Sequence, residues 1–295
     1  MPVPKQQNLF GLERTAPVIN VASVPQLSPF RYPGGKTWLV PYVRTWLRSL
    51  SFRPTLFVEP FAGGGIVGLT VAAENLADRV LMVELDRQVA AVWHTILGGE
   101  AAWLAEQILT FDLTQENAAL VLSKTPDSMR ELAFQTILKN RIAHGGILAP
   151  GAGVIKDGEN GKGIKSRWYP QTLKQRILGI DSLIGKIEFV EGDGVSVLRQ
   201  HAKLQRAAFF IDPPYTVDGK KAGRRLYAHN EVDHEALFSV AALLAGEFLM
   251  SYDNAHAVAK LADKHWLSTR LVAMKNTHHA EMRELLIGRK FDWLD

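Results

Sequence analysis

The chain has 295 residues, a length typical of one large or two small domains. Apolar residues make up 47% and charged residues 22%, so the chain can bury a sizeable core and is not disordered overall. It contains no cysteine, which excludes disulfides and thiolate metal sites and makes a reducing cytoplasm the expected compartment. The formal net charge of +4 suits a polyanionic partner.

The first part of the chain is expected to be irregular. Residues 1–27 carry prolines with little periodicity, which predicts an arm outside the core, and no apolar run indicates a secretory signal or a membrane span. The stretch from Arg31 to Lys36 is typical of a turn before a helix, and Lys36 could neutralise a carboxylate or a phosphate. Apolar residues at helical spacing follow, at Trp38, Leu39, Tyr42, Val43, Trp46, Leu47 and Leu50.

The next segment has the pattern of a strand, a glycine-rich turn, a helix and a second strand. Strands are predicted at 56–59 and 80–85, and helices at 66–77 and 87–97. Such a βαβ unit implies a parallel sheet. Later strands are predicted at 187–193, 207–214 and 247–253, with a closing antiparallel pair at 266–275 and 282–290.

Acidic residues stand at the ends of the predicted strands, where open α/β sheets bind ligands. Glu84 could accept hydrogen bonds from ribose hydroxyls, and Asp86 is its rival for that role. A helix N-cap is the structural alternative, and it fits Asp86 better than Glu84. We expect the strand-end acids to converge on one rim, namely Glu59, Glu84, Asp193, Asp212 and Asp253.

The glycine-rich turn after the first strand is a candidate ligand site. Gly63, Gly65 and Gly68 satisfy the spacing of a dinucleotide-binding loop, so a dinucleotide is one candidate and a purely structural turn is another. Glu59 argues against a pyrophosphate, because a carboxylate would repel it. The same carboxylate could pair with the ammonium of an amino acid or with a sulfonium-bearing ligand.

The tetrad Asp212-Pro-Pro-Tyr215 directly follows an apolar strand. The lone pair of an aromatic amine is delocalised into its ring, which makes the amine a poor nucleophile. A carboxylate and a backbone carbonyl, held rigid by Pro213 and Pro214, can accept both N–H bonds and localise that lone pair. Tyr215 offers a face on which a flipped base can stack. The alternative, a plain turn after a strand, requires neither Asp212 nor Tyr215.

Two basic segments are candidates for nucleic-acid binding. Residues 112–185 are predicted to be an insertion that begins with a helix near 129–142 and continues as a glycine-rich, basic stretch. A second basic segment follows the tetrad. The alternative for both is a solvated surface. The candidate DNA-binding residues are Lys139, Arg141, Lys165, Arg167, Lys220, Lys221 and Arg224.

His278, His279 and Glu281 lie close together in the sequence, as metal ligands often do. A metal site needs three or four convergent ligands, and no other cluster of histidine or acidic residues is near in the sequence. We therefore expect no metal.

Together these motifs resemble the Dam-like adenine-N6 DNA methyltransferases over about residues 28–290. The likeness implies a Rossmann-like, S-adenosylmethionine-dependent core in two parts, 28–111 and 186–295, with an inserted, mainly helical target-recognition domain at 112–185. The segments that carry the resemblance are Ser28 to Lys36, Phe57 to Gly65, Lys139 to Ile147, Arg167 to Ile177, and Asp212 to Tyr215.

The resemblance also implies a role for each matching position. Asp212 and the Pro213 carbonyl would bind the target amine and Tyr215 would stack on the base, while Glu84 would bind the cofactor's ribose and Asp193 its adenine amine. The residues implied in cofactor binding are Tyr32, Lys36, Glu59, Phe61, Ala62, Gly63, Gly65, Glu84, Asp193 and Asp212.

The implied reaction is methyl transfer from S-adenosylmethionine to adenine N6 in double-stranded DNA after base flipping. A ribosomal-RNA base-amine methyltransferase, a catalytically silent DNA-binding homologue and a dinucleotide oxidoreductase are the alternatives. A cognate restriction endonuclease is a candidate partner, and a monomer or weak dimer is expected. Tyr32, Gly145 and Glu84 depart from the commonest family residues, so the family's recognition sequence is not carried over.

Overall fold

The computed structural model describes residues 24–31, 35–149, 151–156, 158, 161–214, 232–275 and 281–294. Its centre is a seven-stranded sheet with the strand order β3-β2-β1-β4-β5-β7-β6. The strands are β1 (Leu56–Glu59), β2 (Arg79–Glu84), β3 (Ile187–Glu191), β4 (Ala207–Ile211), β5 (Glu247–Asp253), β6 (Ser268–Lys275) and β7 (Glu281–Gly288).

The first five strands are parallel, whereas β7 runs antiparallel to both β5 and β6. This confirms the predicted parallel sheet and its closing antiparallel pair. The chain order reverses where β1 lies beside both β2 and β4, which is where an α/β sheet of this kind opens a ligand crevice.

Helices cover both faces of the sheet. They are α1 (Val40–Ser49), α2 (Ile66–Ala73), α3 (Arg87–Thr95), α4 (Ala101–Thr110), α5 (Gln115–Ser123), α6 (Met129–Ile142), α7 (Pro170–Asp181), α8 (Gly194–His201), α9 (His234–Ala242) and α10 (His256–Lys264). Alternate strand residues point to different faces. Phe57 and Met82 therefore join the core under α1–α4, α6 and α7, whereas Val58 and Val83 join the core under α8–α10.

Several elements end earlier than predicted, each for a local reason. Helix α2 stops at Ala73 rather than residue 77, and Asn75 just beyond it has a left-handed backbone (φ 52°). Strand β4 stops at Ile211 because the consecutive prolines that follow cannot donate to the sheet. Strand β3 stops at Glu191, since Asp193 already caps helix α8.

The segment before the first helix is partly in the core, so the predicted arm over 1–27, of which the structure describes residues 24–27, does not include its last residues. Val24 is only 3% exposed and packs in the larger apolar cluster, while residues 1–23 lie outside the described part. The fully buried Asn140 holds this segment, because its side chain accepts from the Arg31 amide (2.9 Å) and donates to the Arg31 carbonyl (2.9 Å).

The predicted insertion, 112–185, shares its core with the first part of the chain. Helix α6 packs against α3, α7 packs against α4, and apolar residues of α6 and α7 belong to the same cluster as those of α1–α4. Its role as a recognition domain stays a prediction. Among the described residues, no helix is both long and apolar enough to cross a membrane.

Candidate active site

A cavity of about 720 Å³ opens at the carboxyl ends of the parallel strands. Its size lies in the range of small-molecule and cofactor sites. The strand-end acids Glu59, Glu84, Asp193 and Asp212 line it, as do Phe61, Ala62 and the glycines of the β1–α2 turn. Asp253, also expected on this rim, is not part of the lining.

The glycines of the β1–α2 turn allow a left-handed backbone and close packing. Gly63 and Gly65 have φ of 49° and 63°. A Cβ on Gly65 would lie 2.5 Å from the Met82 Cε and 3.0 Å from the Trp93 Cζ2. The Gly63 amide donates to the Glu84 carboxylate (2.8 Å), so it is not offered to a pyrophosphate. This geometry weighs against a dinucleotide site.

Glu59 ends β1 and is buried beneath this turn. Its Oε2 accepts a hydrogen bond from the Gly68 amide (2.8 Å), and a Cβ on Gly68 would lie 2.6 Å from that oxygen. Burial raises the pKa of Glu59 to about 8, with Asp212 and Glu84 adding to the effect and the Gly68 bond opposing it. A cationic ligand beside Glu59 would favour the charged carboxylate and so oppose this rise in pKa.

Glu84 ends β2 and forms one wall of the cavity. Its carboxylate accepts from the amides of Gly63, Leu85 and Asp86, each at 2.8 Å. Burial raises its pKa to about 7, although these backbone bonds act in the other direction. The Asp86 side chain accepts from Gln88 N (2.8 Å) and caps α3, which confirms the structural alternative for that residue.

Asp193 follows β3 and caps helix α8. Its carboxylate accepts from the Ser196 hydroxyl (2.6 Å) and amide (2.9 Å) and from the Val195 amide (3.3 Å). Burial acts to raise the pKa of Asp193, but these hydrogen bonds prevail and lower it. The helix cap alone accounts for this aspartate, and its predicted contact with a cofactor's adenine stays a prediction.

Asp212 follows β4 and is held by two other elements. Its Oδ1 accepts from the Ser251 hydroxyl of β5 (2.8 Å) and lies 3.4 Å from the Lys36 ammonium. Pro213 and Pro214 come next and also line the cavity. The carboxylate is therefore fixed in orientation at the point where the chain leaves the sheet.

Glu284 is a site residue that the sequence analysis missed. It lies on β7, is 7% exposed, and accepts from the Lys36 ammonium (3.1 Å), so Lys36 bridges Glu284 and Asp212. Burial raises the pKa of Glu284 to about 7, and Lys36 opposes this effect. The sequence signal that could have identified Glu284 is an acidic residue among the apolar residues of the strand predicted at 282–290.

Replacing Lys36 with methionine is expected to destabilise the protein by roughly 3 kcal/mol, because the buried Glu284 and the partly buried Asp212 lose their shared cation. Chemical unfolding at pH 8 measures the change. Adding Glu284→Gln to this variant should recover part of the loss, whereas Lys124→Met on the exposed surface should have little effect. Equal stability of the wild type and Lys36→Met would contradict the proposed role of the bridge.

Glu59 should make stability depend on pH. Its pKa in the folded protein, about 8, exceeds its ordinary value of 4.5, so the folded state holds the proton more tightly. The stability that this proton provides is complete below pH 4.5 and is lost as the pH rises toward 8. Glu59→Gln should reduce the fall in unfolding free energy between pH 5 and pH 8 by up to about 4 kcal/mol.

The glutamine retains an acceptor for the Gly68 amide, so the variant tests charge rather than hydrogen bonding. The exposed Glu116→Gln variant is the matched control and should follow the wild-type pH profile. A Glu59→Gln profile identical to that of the wild type would show that the Glu59 carboxyl titrates normally.

The structure places the predicted DNA-binding residues in different surroundings. Lys139 donates to the Leu148 carbonyl (2.6 Å), and the buried Arg141 donates to the Pro29 carbonyl, so neither is the exposed contact that we expected. Lys165 is exposed and lies 3.7 Å from Asp112, while Arg167 lines the cavity. Outside the described residues lie Tyr32, Tyr215, Lys220, Lys221 and Arg224.

The histidines suggested as metal ligands, His278 and His279, also lie outside the described residues. In the part of the chain that the structure describes, no group of three or more histidine and acidic residues could hold a metal ion.

No family model and no curated protein matches the chain. Solved structures to which the chain is similar include the rRNA methyltransferase aviRa from Streptomyces viridochromogenes, with 12% identity, a TM-score of 0.38, and coverage of 95% of this chain and 88% of that one. A methyltransferase from Geobacter sulfurreducens has 12% identity, a TM-score of 0.39 and coverage of 88% and 81%. Precorrin-6y C5,15-methyltransferase from Geobacter metallireducens has 9% identity, a TM-score of 0.36 and coverage of 85% and 87%.

Similarities this low carry no argument about fold or substrate. The fold rests on the sheet itself, with five parallel strands, the reversal beside β1 and an antiparallel β7 between β5 and β6. This is the Rossmann-like methyltransferase fold that the sequence predicts.

Proposed function

We propose that this protein transfers a methyl group from S-adenosylmethionine to the N6 amine of adenine in double-stranded DNA. One observation carries the proposal. The Asp212 carboxylate, fixed by Ser251 and the Lys36 ammonium, stands at the cavity immediately before two consecutive prolines. That arrangement provides acceptors for an amine in a rigid setting, which is what methylation of a ring amine requires.

The cavity suits the proposed cofactor. Glu84 retains one acceptor site, on Oε2, beyond its three backbone bonds and can accept from a ribose hydroxyl. Buried Glu59 favours a positive charge nearby, and the left-handed glycines let the backbone approach a ligand closely. The side chains of Leu85 and Val195, which the sequence analysis did not single out, add apolar lining. When bound, S-adenosylmethionine supplies an electrophilic methyl group on sulfur.

The residues of the chain act on the amine. Asp212 and the Pro213 carbonyl accept the two N–H bonds, so the nitrogen lone pair is directed at the methyl carbon. On methyl transfer the amine nitrogen would gain the N–C bond, the cofactor would leave as a neutral thioether that keeps the C–S electron pair, and the surplus amine proton would pass to solvent. Asp212 orients the amine and is not required to act as a strong base. Tyr215 would stack on the flipped base.

The choice of duplex DNA is supported by the resemblance to Dam-like enzymes and by the basic composition of residues 112–185. An RNA base amine would present the same N–H groups to Asp212. The polymer is therefore the part of the proposal that most needs a direct test.

The test is methyl incorporation from S-adenosylmethionine labelled with tritium in its methyl group. Unmethylated genomic DNA and unmodified ribosomal RNA are assayed in parallel, each with and without nuclease treatment. We expect label in DNA only. Label confined to RNA would replace DNA by RNA as the substrate, and label in neither would overturn the proposed activity.

A further inference from the structure

A second group of cavity-lining residues is basic and is separate from the strand-end acids described above. It comes from the segment before α1 and from the predicted insertion. We name it the arginine cluster, and its members are Arg31, Arg141, Arg167 and Arg176. The cavity thus has acidic lining from the strand ends and basic lining from the insertion and from the segment before α1.

Three guanidinium groups of this cluster lack a carboxylate partner among the described residues. Arg141 is 4% exposed and donates to the Pro29 carbonyl, while its Nε is buried and unpartnered within the described part of the chain. The Nη1 of Arg31 is likewise buried and has no hydrogen-bond partner among the described residues. Arg176 donates to the Ser28 carbonyl (3.1 Å). Carbonyl oxygens satisfy some donors but leave the positive charges uncompensated.

The cluster members also repel one another. Burial lowers the pKa of Arg141 to about 9, with the nearby charges of Arg176 and Arg31 acting in the same direction. Burial and Arg167 likewise lower the pKa of Arg31. Collecting these cations around one cavity costs stability, and an anion bound among them would remove that cost.

The geometry points to an oxyanion as the ligand. Planar guanidinium groups bind phosphate and carboxylate through paired N–H donors. Tyr169, 45% exposed, lines the cavity and lies close enough to the cluster to favour the charged forms of Arg31 and Arg141. An aromatic ring beside arginines suits a nucleotide, which has both a phosphate and a base.

We propose that the arginine cluster binds backbone phosphates of the nucleic-acid strand next to the nucleotide that enters the cavity. This inference rests on the proposed function only in that the substrate is a nucleic acid. A cofactor's amino-acid carboxylate offers the same chemistry. One carboxylate, however, neutralises one of these charges, whereas a strand supplies successive phosphates.

The test measures binding, without methyl transfer, for Arg176→Gln and Arg31→Gln. A fluorescent DNA duplex is titrated by anisotropy at several salt concentrations, and S-adenosylhomocysteine is titrated by calorimetry. Each variant should weaken duplex binding about tenfold at low salt and reduce the slope of log K against log salt by about one. Binding of S-adenosylhomocysteine should change by less than about twofold, because no phosphate is involved.

Controls separate charge from folding. Arg79 is an exposed arginine at the start of β2 and pairs with Glu188 of β3. Arg79→Gln should leave both titrations unchanged. Arg176→Lys keeps the charge and should restore most of the salt slope. Arg31 is held through its backbone, so Arg31→Gln is expected to fold even if Arg176→Gln does not.

The outcomes are distinct. Loss of S-adenosylhomocysteine binding with normal duplex binding would overturn the proposal in favour of a carboxylate site. No change in either titration would assign the cluster a purely structural role. If an RNA hairpin, rather than the duplex, shows the arginine-dependent salt slope, the phosphate site stands while the DNA part of the proposed function fails.

Discussion

Replacing Asp212 with alanine is expected to lower the methyl-transfer rate about a thousandfold, the effect of removing a preorganised polar group at a reacting centre. The carboxylate is oriented by Ser251 and lies near Lys36, so its loss removes the acceptor for the amine and also changes a buried ion-pair network. Single-turnover rates with saturating DNA and cofactor measure the chemical step. Calorimetry with S-adenosylhomocysteine should show nearly normal cofactor binding.

Asp253→Ala is the matched control. Asp253 ends the neighbouring strand β5, pairs in register with Glu284 and is exposed, but it does not line the cavity. We expect its rate to stay within about twofold of the wild type, as is usual for exposed substitutions. A near-normal rate for Asp212→Ala would mean that the amine is bound elsewhere, and equal losses in both variants would indicate general damage to this edge of the sheet.

The second large effect is expected from Gly194→Ala. A Cβ at Gly194 would overlap the carbonyl oxygen of Pro60, a backbone atom that cannot turn aside as a side chain can. Because Pro60 is the first residue of the β1–α2 turn, the overlap would push that turn away from α8. We expect a loss of roughly 3 kcal/mol in unfolding free energy and weaker cofactor binding.

Gly179→Ala provides the comparison within the same chain. Gly179 lies inside α7, and a Cβ added there would meet no described atom within 4 Å, so alanine should be neutral or stabilise the helix by up to about 1 kcal/mol. Thermal unfolding with and without S-adenosylhomocysteine measures both variants. Equal stability of Gly194→Ala and Gly179→Ala would show that the β1–α2 turn tolerates displacement by α8.

Local patterns were sufficient to predict most of the fold. The parallel strands are short apolar runs that end in acids, and the helix at Met129–Ile142 was predicted with the bounds that are observed. The ends of the elements were less predictable, because a residue between two elements can belong to the end of one or to the start of the next. Asp193 was assigned to a strand from its sequence, yet it caps the next helix.

Site residues were predictable only where a side chain of suitable chemistry stands at the end of a predicted strand. Asp212 and Glu84 stand at strand ends and were found for that reason. Glu284 was missed because its partner, Lys36, is 248 residues away, and such pairs leave no local pattern. Arg141 was predicted to bind DNA because it lies in a basic stretch, but the sequence did not predict that tertiary packing buries it against Pro29 beside the cavity.

The central claim is that the amine held by Asp212 belongs to adenine in DNA. The most direct test is to incubate the protein with unmethylated DNA and S-adenosylmethionine, digest the DNA to nucleosides and identify the methylated species by mass spectrometry. We predict N6-methyldeoxyadenosine, which should be absent with Asp212→Ala. Methylation of cytosine alone, or no methylated nucleoside in DNA under conditions where the cofactor binds, would contradict this claim.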